Sequence, residues 1–116
     1  MIVRTARSRA DLERVWRLTH DVYVSEGYAQ PRADGLLRHY PHLDEADETV
    51  VILVEEDGKL AGTTSLTVDG PAGLHVDQDF PKAVEEVRWL CRRRGQRLGA
   101  SWRIVTDPQH RGGFLY

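Results

Sequence analysis

The stretch TVVILVEEDGKLAGTTSLTVD, residues 49–69, constrains the fold more than any other part of the chain. An apolar run rich in β-branched residues reaches Asp57-Gly58, a pair that tolerates the positive φ angles of a two-residue hairpin turn. A second run of strand-forming residues follows, so two antiparallel strands are expected side by side. The first run is continuously apolar, which predicts burial on both of its faces. Gly62 inside the second run predicts a bulge or the close approach of another group.

The elements around this hairpin follow from their spacing. Ile2 and Val3 suit a short strand. Ser8 and Asp11 resemble a capping box, and Leu12, Val15, Trp16, Thr19, Val22 and Tyr23 then recur at helical intervals until Gly27. Trp16 is expected in the core. The segment YAQPRADGLLRHYPHLDEADE has no sustained period and reads as a long loop with one helical turn, a kind of segment that is often functional. A second helix is expected after Asp79, the expected cap, with Pro81 in its first turn and Gly95 at its end. Phe80, Ala83, Val84, Val87, Leu90 and Cys91 line one of its faces, Arg88, Arg92 and Arg93 lie off it, and Cys91 is expected to pack in the core. The closing strand, LGASWRIVTD, alternates: Leu98, Ala100, Trp102 and Ile104 point one way, Ser101, Arg103 and Val105 the other. Arg103 should then face a cleft or solvent. The order is α/β, with a hairpin, one further strand and two main helices to cover them.

At 116 residues the chain fits one domain, 1–116. A net charge of −2 gives no bulk signature of nucleic-acid or membrane binding. The charge is uneven: residues 26–57 are mostly acidic, and residues 88–111 mostly basic. Such asymmetry marks either two solvated faces or two binding surfaces. Cys91 is the single cysteine, so no intramolecular disulfide can form, which fits a reducing compartment. The first residues hold no apolar run long enough for a signal peptide, and no segment reaches the length needed to span a bilayer. A cytoplasmic location is expected.

Three constellations bear on chemistry. After the last strand, DPQHRGG offers accessible backbone N–H groups beside Gln109, His110 and Arg111, an arrangement that binds phosphates when it opens a helix but is also found as a plain turn. Glu26, Asp34 and Asp44 offer carboxylates that attract an ammonium group or act as a general base, unless they are only solvated. His20, His39, His42, His75 and His110 show no zinc-ligand spacing, and no serine sits in a nucleophile elbow. No metal is expected.

The segments LTHDVYVSEGY, GKLAGTTSL, GLHVDQDFP, RRRGQRL and WRIVTDPQHRGG appear in the order of one family. From about Arg14 to Gly113 the chain resembles the N-acyl amino acid synthases, relatives of the acyl-homoserine-lactone synthases in the GNAT acyltransferase superfamily. The resemblance implies a mixed, mostly antiparallel sheet split at its centre, with an acyl thioester in the split beside WRIVTD. It implies a donor that is the phosphopantetheine of an acyl carrier protein or an acyl-CoA, held by Asp107, Gln109, His110, Arg111, Gly112 and Gly113, with no covalently bound cofactor. It implies a small amine as acceptor, with Glu26, Asp44 and Arg103 as catalytic residues shaping its side of the site. Carrier proteins are acidic, so Arg92, Arg93, Arg94 and Arg97 would form the docking surface.

The chain also departs from the family pattern. Ala100 stands where the family often has Glu, Thr19 where it has Arg, and Phe114 at the last small-residue position of the donor pattern. The superfamily fold continues beyond this turn with a helix and further strands. The chain is therefore expected to be the N-terminal portion of such a fold, with dimerisation or strand exchange covering a strand left at its edge. Two other readings remain: a catalytically incomplete domain that binds acyl thioesters or carrier protein, and an acetyl-CoA-dependent N-acetyltransferase.

Overall fold

The computed structural model describes residues 1–110. Four strands form one antiparallel sheet in chain order: β1 (Ile2–Thr5), β2 (Thr49–Glu56), β3 (Lys59–Val68) and β4 (Gly99–Thr106). Helix α1 (Arg9–Ser25) follows β1, the four-residue helix α2 (Pro41–Asp44) precedes β2, and α3 (Pro81–Arg93) precedes β4.

The hairpin forms as its sequence requires. Asp57 and Gly58 take φ values of 52° and 77°, the left-handed pair of a two-residue turn. Register then runs from Glu56 opposite Lys59 to Thr49 opposite Thr67. It slips once, because Ala61 is an extra residue on β3 beside Gly62, the bulge that the glycine predicts. The apolar run of β2, however, is not enclosed on both sides. Val51 and Leu53 are buried against α1, while Val50 on the opposite face is exposed. A strand in an antiparallel sheet can leave one face partly open, even where its sequence is continuously apolar.

Helix α1 covers the other face. The Ser8 side chain accepts the Asp11 N–H at 3.2 Å, and Gly27, at φ 79°, ends the helix just past the Glu26 cap. Val15 and Trp16 pack on Val51 and Leu53, with Ala6, Leu12, Leu36 and Leu60 around them.

Arg4 ties this layer together. Its Nη atoms donate to Asp11 at 2.8 Å each, and its Nε to Glu55 at 2.5 Å, joining β1, α1 and β2. The Arg4 guanidinium, with the Arg7 N–H, holds the Asp11 carboxyl far below the ordinary range, and Arg4 and Arg14 lower Glu55. Depressed carboxylate pKa values stabilise the fold above the unfolded carboxylate range, and that stability is lost as pH falls through the folded values. The urea midpoint is therefore expected to drop as pH is lowered from about 5 to about 3, the region where unfolded carboxyls titrate. Arg4→Met should flatten that dependence. A midpoint indifferent to pH would show that these pairs contribute nothing.

Helix α3 is attached differently from its sequence expectation. Its N-cap is Phe80, with no side-chain cap bond; Asp79 does not cap it. Val84 is its one buried residue, and Cys91 is only half-buried. The stripe that the periodicity assigns to the core is mostly in solvent. The anchor is Arg88, which donates to Asp69 at 2.7 and 3.0 Å, to Asp77 at 2.6 and 2.7 Å, and to Glu85 at 2.7 Å. Asp77 also accepts the Leu74 N–H, and Arg88 is the main cause of its lowered pKa.

Candidate functional site

The alternation expected of β4 breaks at its middle. Gly99 to Trp102 pair in step with Val68 to Ser65, and pairing resumes with Val105 opposite Thr63. One extra residue on β4 therefore faces Thr64, a β-bulge, and Arg103 there takes φ 53°. The bulge turns Trp102 and Arg103 inward together and throws Ile104 out to 75% exposure. Arg103 is thus buried rather than turned to solvent. A non-glycine residue held at positive φ costs energy that surrounding contacts must offset, and such residues cluster at functional sites.

Those contacts form one buried polar node. Pro41 starts α2, and this single turn carries Asp44 in under α1. Arg103 Nη2 donates to both Asp44 oxygens, at 2.5 and 2.6 Å, and Nη1 to Ser65 Oγ at 3.2 Å. Both charged side chains are 0% exposed. Trp16 Nε1 donates to Asp44 Oδ2 at 2.8 Å, so α1, α2 and β4 meet at one carboxylate, and β3 joins through the Ser65 bond to Arg103. The guanidinium lies 4.3 Å from the centre of the Trp102 ring. Its Nε has no hydrogen-bond partner among the described residues.

An aromatic group from the long loop covers the node. Tyr40 meets Trp102 edge-on at 5.3 Å and stacks with His39 at 4.3 Å, and His39 meets Tyr23 of α1 edge-on at 5.8 Å. Tyr40 also lies 5.4 Å from His75, whose Nδ1 is buried without a hydrogen-bond partner among the described residues. Desolvation lowers the His39 pKa, helped by the positive charge of Arg103, against the pull of Asp44; His39 is therefore neutral at neutral pH. Desolvation raises Tyr23, and Arg103 works against that shift.

Beyond β4 the chain enters a 3-10 turn, Pro108–His110. Asp107 shapes it by accepting the Gln109 N–H at 2.9 Å through Oδ1 and the His110 N–H at 2.8 Å through its carbonyl. Asp107, Pro108 and Gln109 line one wall of a cleft of about 310 Å³, and Leu18, Asp21, Val22 and Ser25 of α1 line the other. Of the donor residues expected from the sequence, Asp107, Gln109 and His110 come together here; Arg111, Gly112 and Gly113 lie outside the described residues, as does Phe114.

The structure brings Asp44 and Arg103 together in the core, whereas Glu26 is exposed at the cap of α1. Arg92 and Arg93 in the last turn of α3, Arg94 at its cap and Arg97 just after it are all exposed. The sequence reading missed Trp16, Tyr23, His39 and Tyr40 as parts of the site. His39-Tyr40-Pro41 was the only visible signal, an aromatic pair just before a proline in a long loop. Among the described residues no group of His, Cys, Asp or Glu is placed to hold a metal, and no helix is long and apolar enough to cross a membrane.

Residues 14–116 match the model of the family described as N-acyl amino acid synthase FeeM. The structure is similar to that of FeeM, an N-acyl amino acid synthase from uncultured soil microbes, with a TM-score of 0.73 at 21% identity. That match covers 99% of this chain and 56% of the other. It is also similar to a predicted acetyltransferase with acetyl-CoA from Clostridium acetobutylicum, with a TM-score of 0.56 at 17% identity, over 96% of this chain and 62% of the other. The chain thus spans little more than half the length of these structures. No curated protein matches it. The α/β architecture, with its four-stranded antiparallel sheet, is shared with these two structures.

Proposed function

The chain belongs to the N-acyl amino acid synthase FeeM family, and from that premise we propose that it moves an acyl group from a pantetheine thioester to the amino group of an amino acid. The observation that carries this reading is the bulge at Arg103. It fixes a buried charged node on the strand that leads, four residues later, into the Asp107–His110 turn and its cleft.

The amine nitrogen attacks the thioester carbonyl, the C–N bond forms, and the C–S bond breaks to release the pantetheine thiol. The attacking amine must be neutral, so a group must take its proton. His39, neutral and beside the node, suits that role better than Asp44, whose oxygens are taken by Arg103 and Trp16. Asp44 and Arg103 are positioning residues: they hold β4 in its bulged path and so set where the strand enters the Asp107–His110 turn. Glu26, exposed at the cap of α1, would attract the acceptor's ammonium group before it loses its proton. Asp107, Gln109 and His110, with Arg111, Gly112 and Gly113, hold the donor's pantetheine or pyrophosphate. Carrier-protein and CoA donors share that arm; the exposed arginines Arg92, Arg93, Arg94 and Arg97 favour an acidic carrier.

The test is thiol release from a long-chain acyl carrier protein and, separately, from long-chain acyl-CoA and acetyl-CoA, each with and without a mixture of amino acids. Amino-acid-dependent release is expected, fastest from the long-chain carrier, and His39→Ala should lower it by about 10²-fold or more, as loss of a general base does. Release only from acetyl-CoA would make the chain an N-acetyltransferase. Donor binding without release from any thioester would make it an incomplete binding domain.

A further inference from the structure

Helix α3 carries an apolar stripe that the described residues leave open. At ~100° per residue, Phe80, Ala83, Val87, Leu90 and Arg94 share one face, spaced as two heptads of a packing seam. Phe80 is 62% exposed, Val87 41% and Leu90 44%. Val84, Arg88 and Cys91 hold the neighbouring face to the body, so the stripe points away from it. A contiguous exposed apolar patch of this kind marks an interaction surface.

The charges beside the stripe say what covers it. On its outer flank lie Glu86 in the first half of the helix and Arg93 in the second. An acidic partner would meet Glu85 and Glu86 on this surface and be repelled. A second copy laid antiparallel places each Glu86 against the other's Arg93, and each Val87 against the other's Leu90. Glu85, Glu86, Trp89 and Leu90 line an open, largely apolar groove of about 430 Å³ beside the stripe, with the indole and two carboxylates within reach of a partner's guanidinium. Within one chain Arg93 already lies 4.8 Å from the Trp89 ring.

We infer that α3 pairs antiparallel with α3 of a second copy, through Val87 and Leu90, with reciprocal Glu86–Arg93 ion pairs fixing the register. Arg92, on the far side of the helix, and Arg97, beyond it, stay outside the seam, so in the dimer these two, and not Arg93 and Arg94, would meet an acidic carrier. The seam is short, so the dimer is weak and forms at high protein concentration.

Sedimentation equilibrium of the chain over a wide concentration range tests this. The mass is expected to rise from the 13.2 kDa monomer towards twice that value. Leu90→Glu should leave a monomer at every concentration, with its circular dichroism and melting temperature at low concentration unchanged, because Leu90 is exposed. Glu86→Arg and Arg93→Glu should each weaken dimerisation by about tenfold or more, since each puts two like-charged pairs in the seam, and the double reversal should restore it. A wild-type chain that stays monomeric throughout would overturn the inference, as would a dimer that survives Leu90→Glu. Binding of an acidic carrier protein that is lost in Leu90→Glu, with the chain itself monomeric, would overturn it and assign the stripe to the carrier.

Discussion

Asp44→Asn is expected to destabilise the protein by about 3–5 kcal/mol, the usual cost of stripping a buried charge of its counter-ion. The substitution keeps the shape of the side chain but leaves the Arg103 guanidinium fully buried without a compensating charge. A domain of this size has about 5–15 kcal/mol in total, so the variant should sit near the edge of folding. Urea denaturation gives the value. The pairing account makes a second demand: Asp44→Leu combined with Arg103→Met should cost less than Asp44→Asn alone, because no charge is then left unpaired. If Asp44→Asn shifts stability by less than about 1 kcal/mol, within the range of an ordinary surface change, the buried pair is not what holds β4 in its bulged path.

Trp16→Ala is expected to cost about 3–5 kcal/mol, as removal of a fully buried indole does. Trp16 fills the space between α1 and β2, and Arg9 and Arg38 lie 4.8 and 4.2 Å from the centre of its ring. Trp16→Phe separates packing from hydrogen bonding. It keeps most of the volume but removes the N–H that Asp44 accepts, and should cost about 1–3 kcal/mol. If both variants cost the same, the loss lies in the bond to Asp44; if Trp16→Phe is silent, the Arg103 charge alone holds the carboxylate in place.

How much of this was visible beforehand depended on how local the signal was. The Asp57-Gly58 hairpin, the Ser8 cap, the stop at Gly27, the bulge beside Gly62 and the burial of Trp16 each follow from neighbouring residues, and each was legible. The bulge at Arg103 was not. Neither glycine nor proline marks it, and the surrounding residues alternate well enough to suggest an undisturbed strand. What forces it is Asp44, 59 positions away in sequence, and no pattern along the chain records that contact. The same limit explains α3. Its periodicity states that a face must be covered, but not by what; Cys91 and the stripe were therefore assigned to a core that the helix does not enter. Asp79 was the expected cap because a carboxylate before a proline suits that place. The structure instead starts α3 at Phe80 with no side-chain cap, and the nearby Asp77 accepts the Leu74 N–H and reaches Arg88.

The site shows the same division. The turn at Asp107–His110 was legible from its composition. The partnership of Arg103, Asp44 and Trp16 arises only when α1, α2 and β4 fold together, and the placing of His39 and Tyr40 over it depends on the path of the long loop.

The most direct measurement is amide chemical-shift mapping of the labelled protein as a long-chain acyl-pantetheine thioester is added, before any amine is present. If the turn after β4 holds the donor beside the buried node, shifts should concentrate on Asp107, Gln109 and His110, on Leu18, Val22 and Ser25 across the cleft, and on Arg103 and Ile104 in the bulge. Saturable shifts confined to the 29–37 loop or to α3, with the turn and the bulge undisturbed, would contradict the account.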